Sequence, residues 1–441
     1  MTSTFAAKKT TTMNKFLIVL IAIFAAINIQ AQGSLTEEKK DNAENSEEFS
    51  KFRIGGYGEI LYQGFDYHPN RFSGAGIGSK KLDNLRSQVS IPRYILAIDA
   101  KFDKGWSFGG EIEFEYGGTG VAIEPEYGEG IEYEYEFEKA GEVVLEQMWI
   151  EKSFGELLKI RAGHQIVPVG ITNFQHEPIF YLGTTRPEGE STLIPCTWHE
   201  TGLSVMGRYK WLGYQAMVVN GLDPLGFGDQ NWIQNGRQRL YETTSFQNPA
   251  FAARLNFYAI DGLRLGLSGY YAAKTSGNVI DVAETDHFDA PVAIGSADLE
   301  YRNHGLVVRA NALYGYVGDV DEINAIRRDA FSGYSNTKVA QNALTYFVEA
   351  GYNVGQYIEN DLNITPFVRY EYLDPEQNSS LAADPRNCAR IVAAGINYFP
   401  TPGVVVKADY THRMIGEKSI AFNNENTFSL SVGFTSWFFQ K

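Results

Sequence analysis

The strongest constraint on this chain is a period of two that recurs along almost its whole length. In the clearest segment, residues 106–116, alternate positions are bulky and apolar: Trp106, Phe108, Ile112, Phe114 and Tyr116. The positions between them are polar: Ser107, Glu111, Glu113 and Glu115. This alternation predicts a β-strand with one apolar and one polar face. We count sixteen such segments, which begin near residues 52, 88, 106, 143, 157, 201, 213, 250, 263, 294, 305, 343, 362, 390, 403 and 427.

The links between these segments are alternately short and long. Short links such as Asp103-Lys104-Gly105 and Pro400-Thr401-Pro402 take turns with links of about 14 to 35 residues. An outer-membrane barrel has this arrangement, and a closed sheet satisfies every backbone N–H and C=O in lipid. We therefore predict an all-β fold for residues 52–441. It is a transmembrane antiparallel β-barrel of about 16 strands, with short periplasmic turns and long extracellular loops.

One segment fits this pattern less well, and one other fold class competes with it. In residues 143–153 both faces are mixed, because Val144, Met148 and Ile150 alternate with Leu145 and Trp149. A secreted β-sandwich that binds glycans would also have alternating strands. Its outer faces would be polar, however, whereas sixteen apolar stripes rich in aromatic residues favour a surface in contact with lipid.

The composition excludes several other classes of protein. Lys and Arg total 38 against 53 Asp and Glu, a formal net charge of -15 without a basic stripe, so nucleic-acid binding is not expected. Beyond the N-terminus no apolar run of about 18 residues exists, which excludes a helical membrane protein. The sequence contains no clustered Ser/His/acid set. We therefore expect no catalytic residues, no enzyme activity and no cofactor.

Metal-ligating patterns are also weak. The seven His residues are scattered, and two cysteines are too few for a cysteine zinc site, so we expect no metal. The acidic run 124–142 would either bind Ca²⁺ or form a solvated edge that discourages aggregation. Cys196 and Cys388 both fall on predicted outer loops, and the sequence leaves open whether they pair.

The N-terminus predicts export. Lys8, Lys9 and Lys15 precede an apolar stretch over residues 16–27, and Ile29-Gln30-Ala31 completes a cleavage pattern. We interpret residues 1–31 as a signal peptide and the polar residues 32–51 as a flexible segment. Export followed by barrel formation predicts a location in the outer membrane of a Gram-negative bacterium, in contact with its lipid.

The polar face of the strands is rich in charge of both signs. Its basic positions are Arg93, Lys101, Lys159, Arg161, Arg208, Arg254, Arg264, Arg302, Arg309, Arg369 and Lys407. Its acidic positions include Glu111, Glu113 and Glu115. Such a wall suits a water-filled passage for hydrophilic solutes, although many of these groups would also form ion pairs that keep a wide barrel rigid.

The long link 166–200 is the most distinctive loop. Its 35 residues include four prolines and several bulky apolar groups, which need a place to be buried. Folding inward against the wall would bury them and would narrow the interior. The residues expected at this constriction are His176, Glu177, Arg186, Glu188, Glu190, Trp198, His199 and Glu200.

The same region carries a family resemblance. Its motifs are Ile160-Arg161-Ala162-Gly163, Val167-Pro168-Val169-Gly170, His176-Glu177-Pro178, Arg186-Pro187, Ile194-Pro195 and Thr197-Trp198. They resemble the porin family of Gram-negative outer membranes that includes the phosphate-selective porins O and P. The resemblance implies a sixteen-stranded barrel, commonly a homotrimer, whose third loop constricts the pore.

These observations favour a passive channel for small hydrophilic solutes and ions. An anion- or phosphate-selective porin is the alternative, and an adhesin or an enzyme platform built on the barrel is a third hypothesis. Charge argues against strong anion selectivity, because the long links together carry -15 and loop 166–200 carries -3. Anions would therefore meet a repelling mouth before an attractive wall.

Overall fold

A computed structural model describes most of the chain after residue 50. The described residues are 51–67, 86–116, 121–127, 133–139, 141–238, 244–278, 288–326, 338–358, 362–377, 383–416 and 424–441. The predicted signal peptide 1–31 and nearly all of the polar segment 32–51 lie outside them. The described residues other than 259–261 form one compact unit.

The fold is a closed antiparallel β-barrel of 16 strands, as the sequence predicts. Its strands are β1 (Phe52–Phe65), β2 (Arg86–Ser90), β3 (Arg93–Phe102), β4 (Trp106–Glu115), β7 (Glu142–Ser153), β8 (Lys159–Ile166), β9 (His199–Tyr209), β10 (Leu212–Val219), β11 (Ala250–Ile260), β12 (Leu263–Ala272), β13 (Val292–Asn303), β14 (Leu306–Val317), β15 (Asn342–Tyr352), β16 (Asn363–Asp374), β17 (Ala389–Thr401), β18 (Val404–Ile415) and β19 (Glu425–Gln440). β2 and β3 both pair with β1 and occupy one position in the wall, interrupted at Ile91-Pro92 because proline cannot donate a ladder hydrogen bond.

The first and last strands close the barrel. β1 pairs with β19 along its length, for example Gly58 with Phe434. The two described ends of the chain meet here, since the Lys51 N–H donates to the Lys441 carbonyl at 2.7 Å. A separate two-stranded sheet, β5 (Val121–Tyr127) and β6 (Tyr133–Lys139), carries the acidic run between β4 and β7.

Helical segments are few and short among the described residues. α1 (Glu188–Leu193) lies between β8 and β9, and α2 (Val320–Ala325) follows β14. Nowhere in this part of the chain is a helix long and apolar enough to cross a membrane.

The outward face of the wall has the predicted apolar character. On β19 the outward side chains Phe428, Leu430 and Val432 are each more than 40% exposed, whereas the inward Ser429 and Ser431 are buried. On β4 the inward Glu113 is buried, and the outward Trp106 is exposed. An apolar band therefore surrounds the barrel, as the alternation predicts.

The mixed pattern in residues 143–153 comes from a β-bulge. Glu111 pairs with Gln147 but Ile112 pairs with Leu145, so Glu146 is an extra residue in β7. Because one inserted residue shifts the alternation, the outward side chains are Val143 and Leu145 before the bulge but Met148 and Ile150 after it. Grouping Val144 with Met148 and Ile150 on one face was therefore wrong, and the bulge also turns Glu146 fully inward.

The inward face is not polar along its whole length, contrary to the expectation from the sequence. Inward residues near the long-loop ends of β10–β16 are apolar and buried, including Val219, Ala250, Val292, Leu313 and Val317. They contact apolar residues of the loops instead of water. We call this region the filled side of the interior. It comprises β10–β16 and the loop residues that pack on them.

Candidate functional site

The predicted loop folds into the barrel, and we call residues 167–198 the inner loop. Its bonds reach strands far apart in the wall. The Gly170 N–H donates to Ser268 Oγ of β12 at 3.1 Å, His176 Nε2 contacts Tyr57 OH of β1 at 2.8 Å, and the Thr184 N–H donates to Asp409 Oδ2 of β18 at 2.6 Å. The inner loop therefore spans the interior and narrows it.

Glu190 of α1 organises the first part of the inner loop. Its carboxylate accepts hydrogen bonds from the backbone N–H groups of Ile171 (3.2 Å) and Asn173 (2.7 Å) and from Asn311 Nδ2 of β14 (2.5 Å). Burial raises the pKa of Glu190, although its backbone donors favour the charged form. Glu190 is thus a structural group and not a pore-lining one, contrary to the sequence-based assignment.

The second part of the inner loop is fixed to β15, β16 and β18. Lys407 Nζ donates to the carbonyls of Tyr181 and Gly183 at 2.7 and 2.8 Å. The Glu188 N–H donates to Glu371 Oε2 at 2.6 Å, and Glu188 Oε1 accepts from Arg413 Nε at 3.1 Å. Wall charges therefore hold the loop backbone in place.

Most predicted basic positions are occupied by ion pairs within the wall. The pairs are Arg93 with Glu113 and Glu146, Lys159 and Arg161 with Glu151, Arg254 with Asp298, Arg264 with Asp298 and Glu300, Arg302 with Glu300, Arg309 with Glu349, and Arg369 with Glu349 and Glu371. Lys101 is half-buried on β3, and Arg208 is exposed with its guanidinium over the Tyr258 ring. Much of the basic wall is thus neutralised locally.

A cavity of about 530 Å³ lies inside the barrel towards the long-loop end. Its charged lining residues are Glu59, Arg93, Glu115, Arg186, Glu188, Arg413 and Glu425, four acidic and three basic. Phe65, Tyr67, Tyr116 and Tyr181 add aromatic surface. The cavity lies against β1–β4, β18 and β19, and we name this region the open side of the interior. Of the residues predicted at the constriction, it brings together Arg186 and Glu188.

Three predicted constriction residues lie elsewhere. Trp198 is fully buried in the apolar core of the filled side, because it packs on Tyr270 with ring centroids 4.7 Å apart. His199 and Glu200 belong to β9 and are buried, and Glu200 Oε1 accepts a hydrogen bond from Trp198 Nε1 at 3.1 Å. These residues anchor the end of the inner loop and do not line the cavity. No disulfide joins Cys196 to Cys388.

A polar cluster surrounds His176, where the inner loop meets β1, β4 and β7. His176 Nε2 lies 3.2 Å from Glu146 Oε1, and Arg93 Nη2 donates to Glu146 Oε2 at 2.9 Å. Arg93 also contacts Glu113. Burial alone would lower the pKa of His176, but its raised pKa reflects the neighbouring Glu146 carboxylate. Glu177 follows as a half-buried residue.

Two features escaped the sequence analysis. The first is Glu146, which a regular alternation does not place inside because it occupies the bulge. The second is the segment 220–238, where Leu222, Trp232 and Ile233 are fully buried and Trp232 Nε1 donates to the Ala340 carbonyl at 3.2 Å. Its bulky apolar residues were a usable signal, since a solvated loop has no need of them.

Comparisons with known proteins agree with this architecture. No protein-family model matches the chain. An uncharacterized protein of Aquifex aeolicus is 26% identical over 377 residues, which are 83% of this chain and 76% of that protein.

Three solved structures resemble the barrel. An anion-selective porin from Comamonas acidovorans has 9% identity and a TM-score of 0.52, over 87% of this chain and 99% of its own. The outer membrane channel DcaP of Acinetobacter baumannii has 10% identity and a TM-score of 0.51, over 87% and 97%. Salmonella typhi OmpF has 11% identity and a TM-score of 0.51, over 86% and 97%. At these identities the likeness concerns the fold, so this chain has the barrel fold of these outer-membrane proteins.

Proposed function

We propose that this protein is an outer-membrane porin that forms a water-filled passage for small hydrophilic solutes and ions. The observation that carries this proposal is the cavity of about 530 Å³ on the open side, lined by charges of both signs inside a barrel with an apolar exterior. A polar interior beside an inward-folded loop is the arrangement expected of a passage for hydrophilic solutes. The proposed role involves no catalysis and no cofactor.

The proposed pore has little ion selectivity. Four carboxylates and three guanidinium groups line the cavity, and the remaining basic wall residues are largely paired. Strong anion selectivity needs a dense basic cluster with few carboxylates nearby. The alternative, an anion- or phosphate-selective pore, has Arg93, Arg186 and Arg413 in its favour, together with the similarity of the fold to the anion-selective porin from Comamonas acidovorans.

Planar bilayer recording tests both readings. We expect stepwise conductance from the purified protein, a reversal potential close to zero in a KCl gradient and no block by micromolar phosphate. A strong anion preference with micromolar phosphate block would establish the selective alternative. A barrel without conductance would refute the channel and favour an adhesin or an enzyme platform.

We further propose that the long loops face outward and the short turns face the periplasm. After an even number of strands both ends of the barrel chain lie on one side, and the bonds between Lys51 and Lys441 agree with this. An epitope inserted after Phe246, in a long link, should be labelled on intact cells, whereas one inserted after His304, in a short turn, should be labelled only after permeabilisation. Reversed labelling would contradict this orientation.

The proposed assembly is a homotrimer, and its support is the family resemblance of residues 160–202. Native mass spectrometry of the detergent-extracted protein should show three copies of the mature chain. A monomer that still conducts would contradict trimer formation but not the channel.

A further inference from the structure

Three potential metal ligands converge where the inner loop meets the open side. Glu111 comes from β4, Glu146 from the bulge in β7 and His176 from the inner loop. One ligand atom of each residue lies within 4.8 Å of the others. The His176 Nε2 to Glu146 Oε1 distance is 3.2 Å. Two ligands at about 2.0–2.2 Å from a zinc ion stand roughly 3–3.5 Å apart, so this pair already has suitable spacing.

The imidazole is oriented as in a metal-binding histidine. His176 Nδ1 lies 2.9 Å from the Asn173 carbonyl, which can only accept a hydrogen bond. Nδ1 therefore carries the proton, and Nε2 is directed at Glu146 and at Tyr57 OH, which is 2.8 Å away. A hydrogen bond from one ring nitrogen to a backbone carbonyl commonly orients the other nitrogen towards a metal.

The local charges also call for a cation. Glu113 and Glu146 are both buried and share a single guanidinium, that of Arg93. Glu111 adds a third carboxylate beside Glu146. Glu111 Oε2 is buried, and among the described residues it has no hydrogen-bond partner. A buried carboxylate oxygen without a hydrogen-bond partner is costly. Protonation of His176 would compensate the charge of Glu146, but it would leave Glu111 Oε2 without a hydrogen-bond partner.

We propose that Glu111, Glu146 and His176 bind a divalent first-row transition metal, with Zn²⁺ as the test ion. The imidazole nitrogen favours such an ion over Mg²⁺ or Ca²⁺, which prefer oxygen ligands alone. Tyr57 OH would turn from His176 towards Glu146 Oε1, from which it is 3.5 Å away. The ion would join β4, β7 and the inner loop, and so hold the loop against the wall of the open side. This inference goes beyond the proposed pore and does not depend on its conductance.

Zinc titration of the EDTA-treated, detergent-purified full-length protein tests the site by calorimetry. We expect one Zn²⁺ per chain. Loss of a partner outside the ligand shell costs about 10–100-fold in affinity, so Glu111→Gln and His176→Gln, which remove ligands, should weaken binding by at least about 100-fold. The matched control is Glu115→Gln, which changes a carboxylate four residues from Glu111 on the same face of β4 and should bind Zn²⁺ like the wild type. Equal binding by all four proteins, or none by the wild type, would overturn the site.

X-ray absorption at the zinc edge keeps the proposal testable if a variant fails to fold. The zinc-loaded wild-type protein should show one imidazole nitrogen with oxygen ligands at about 2.0–2.2 Å. Ligation by two imidazoles would instead point to His164 and His199, whose rings lie 4.7 Å apart, and would refute the assignment. An all-oxygen shell would refute it as well.

Discussion

The two sides of the barrel interior are built from the same strand pattern but have opposite character. On the filled side, Leu313 and Val317 of β14 are buried against loop residues such as Trp232. On the open side, Glu115 of β4 and Thr427 of β19 line a cavity. The outward face is apolar on both. A period of two therefore settles which residues face outward, while what the inward residues meet depends on which loops fold in.

The inner loop separates these two environments and uses each differently. Its first and last parts place Val169 and Trp198 in the apolar core. Its middle part offers backbone groups to wall charges, as where the Leu182 N–H donates to Glu349. Apolar burial provides most of the stabilisation on the filled side, whereas hydrogen bonds and ion pairs set the position of the loop beside the cavity. The comparison predicts that equal truncations will have unequal effects on the two sides.

The largest effect is expected from Trp232→Ala on the filled side. Removal of this fully buried indole should lower the free energy of unfolding by about 3–5 kcal/mol, because the loop cannot fill the hole. Urea unfolding in detergent measures this free energy. The folded fraction at each urea concentration is determined from the different gel mobilities of the folded barrel and the heat-denatured chain. Tyr116→Ala at the cavity is the matched control. Its ring is 63% exposed, so we expect a change within about 0.5 kcal/mol. Equal losses of unfolding free energy in the two variants would mean that the filled and open sides do not differ in packing.

Substitutions at two adjacent residues of β4 test whether the open side contains water. Phe114→Arg places a charge on the outward apolar face. An Arg costs about 2–4 kcal/mol at the middle of a bilayer and less towards its edge, so the amount of assembled barrel should fall. Glu115→Arg places the same charge at the cavity and should assemble normally. Quantitative immunoblots of folded protein measure both. If Glu115→Arg assembled as poorly as Phe114→Arg, the cavity would not be a watery space.

A glycine tests how rigidly the inner loop is held where it meets the filled side. Gly170 has φ +77°, and a Cβ there would collide with the Glu190 carboxylate. Gly170→Ala should therefore destabilise the barrel by about 1–3 kcal/mol in the same unfolding assay. Gly295→Ala is the control, since a Cβ at that position has no neighbour within 4 Å. A neutral Gly170→Ala variant would mean that the loop adjusts without cost.

The smallest effect concerns selectivity on the open side. Arg186 lines the cavity and donates to Thr197 Oγ1 at 3.1 Å. One charge about 8 Å from an ion in water contributes about 0.5 kcal/mol, with opposite sign for a cation and an anion. Arg186→Gln should therefore raise the cation-to-anion permeability ratio roughly fivefold. Reversal potentials in a KCl gradient measure this ratio. Arg390→Gln, outside the cavity lining, should leave it unchanged, and a matching shift there would mean that Arg186 has no special position.

Local alternation was enough to predict most of the barrel. All sixteen segment starts lie within two residues of an observed strand start, because an apolar outer face and a polar inner face impose a strict period of two. The prediction failed in residues 143–153, where the inserted Glu146 reverses the alternation of inward and outward side chains. A bulge depends on the pairing with the neighbouring strand, which a local pattern does not include. The inward fold of residues 167–198 also followed from composition, since its apolar groups had no other place to be buried.

The site was less accessible to the same reasoning. The sequence by itself determined the fold class, the outward apolar residues and the pool of inward charges, since these depend on local periodicity. Only the tertiary structure decided which charges pair, that Trp198 belongs to a core, and that Glu111, Glu146 and His176 meet. Those outcomes depend on register, on a bulge and on the path of a loop. Contacts between residues far apart in the chain are set by closure of the whole barrel, so no local stretch encodes them.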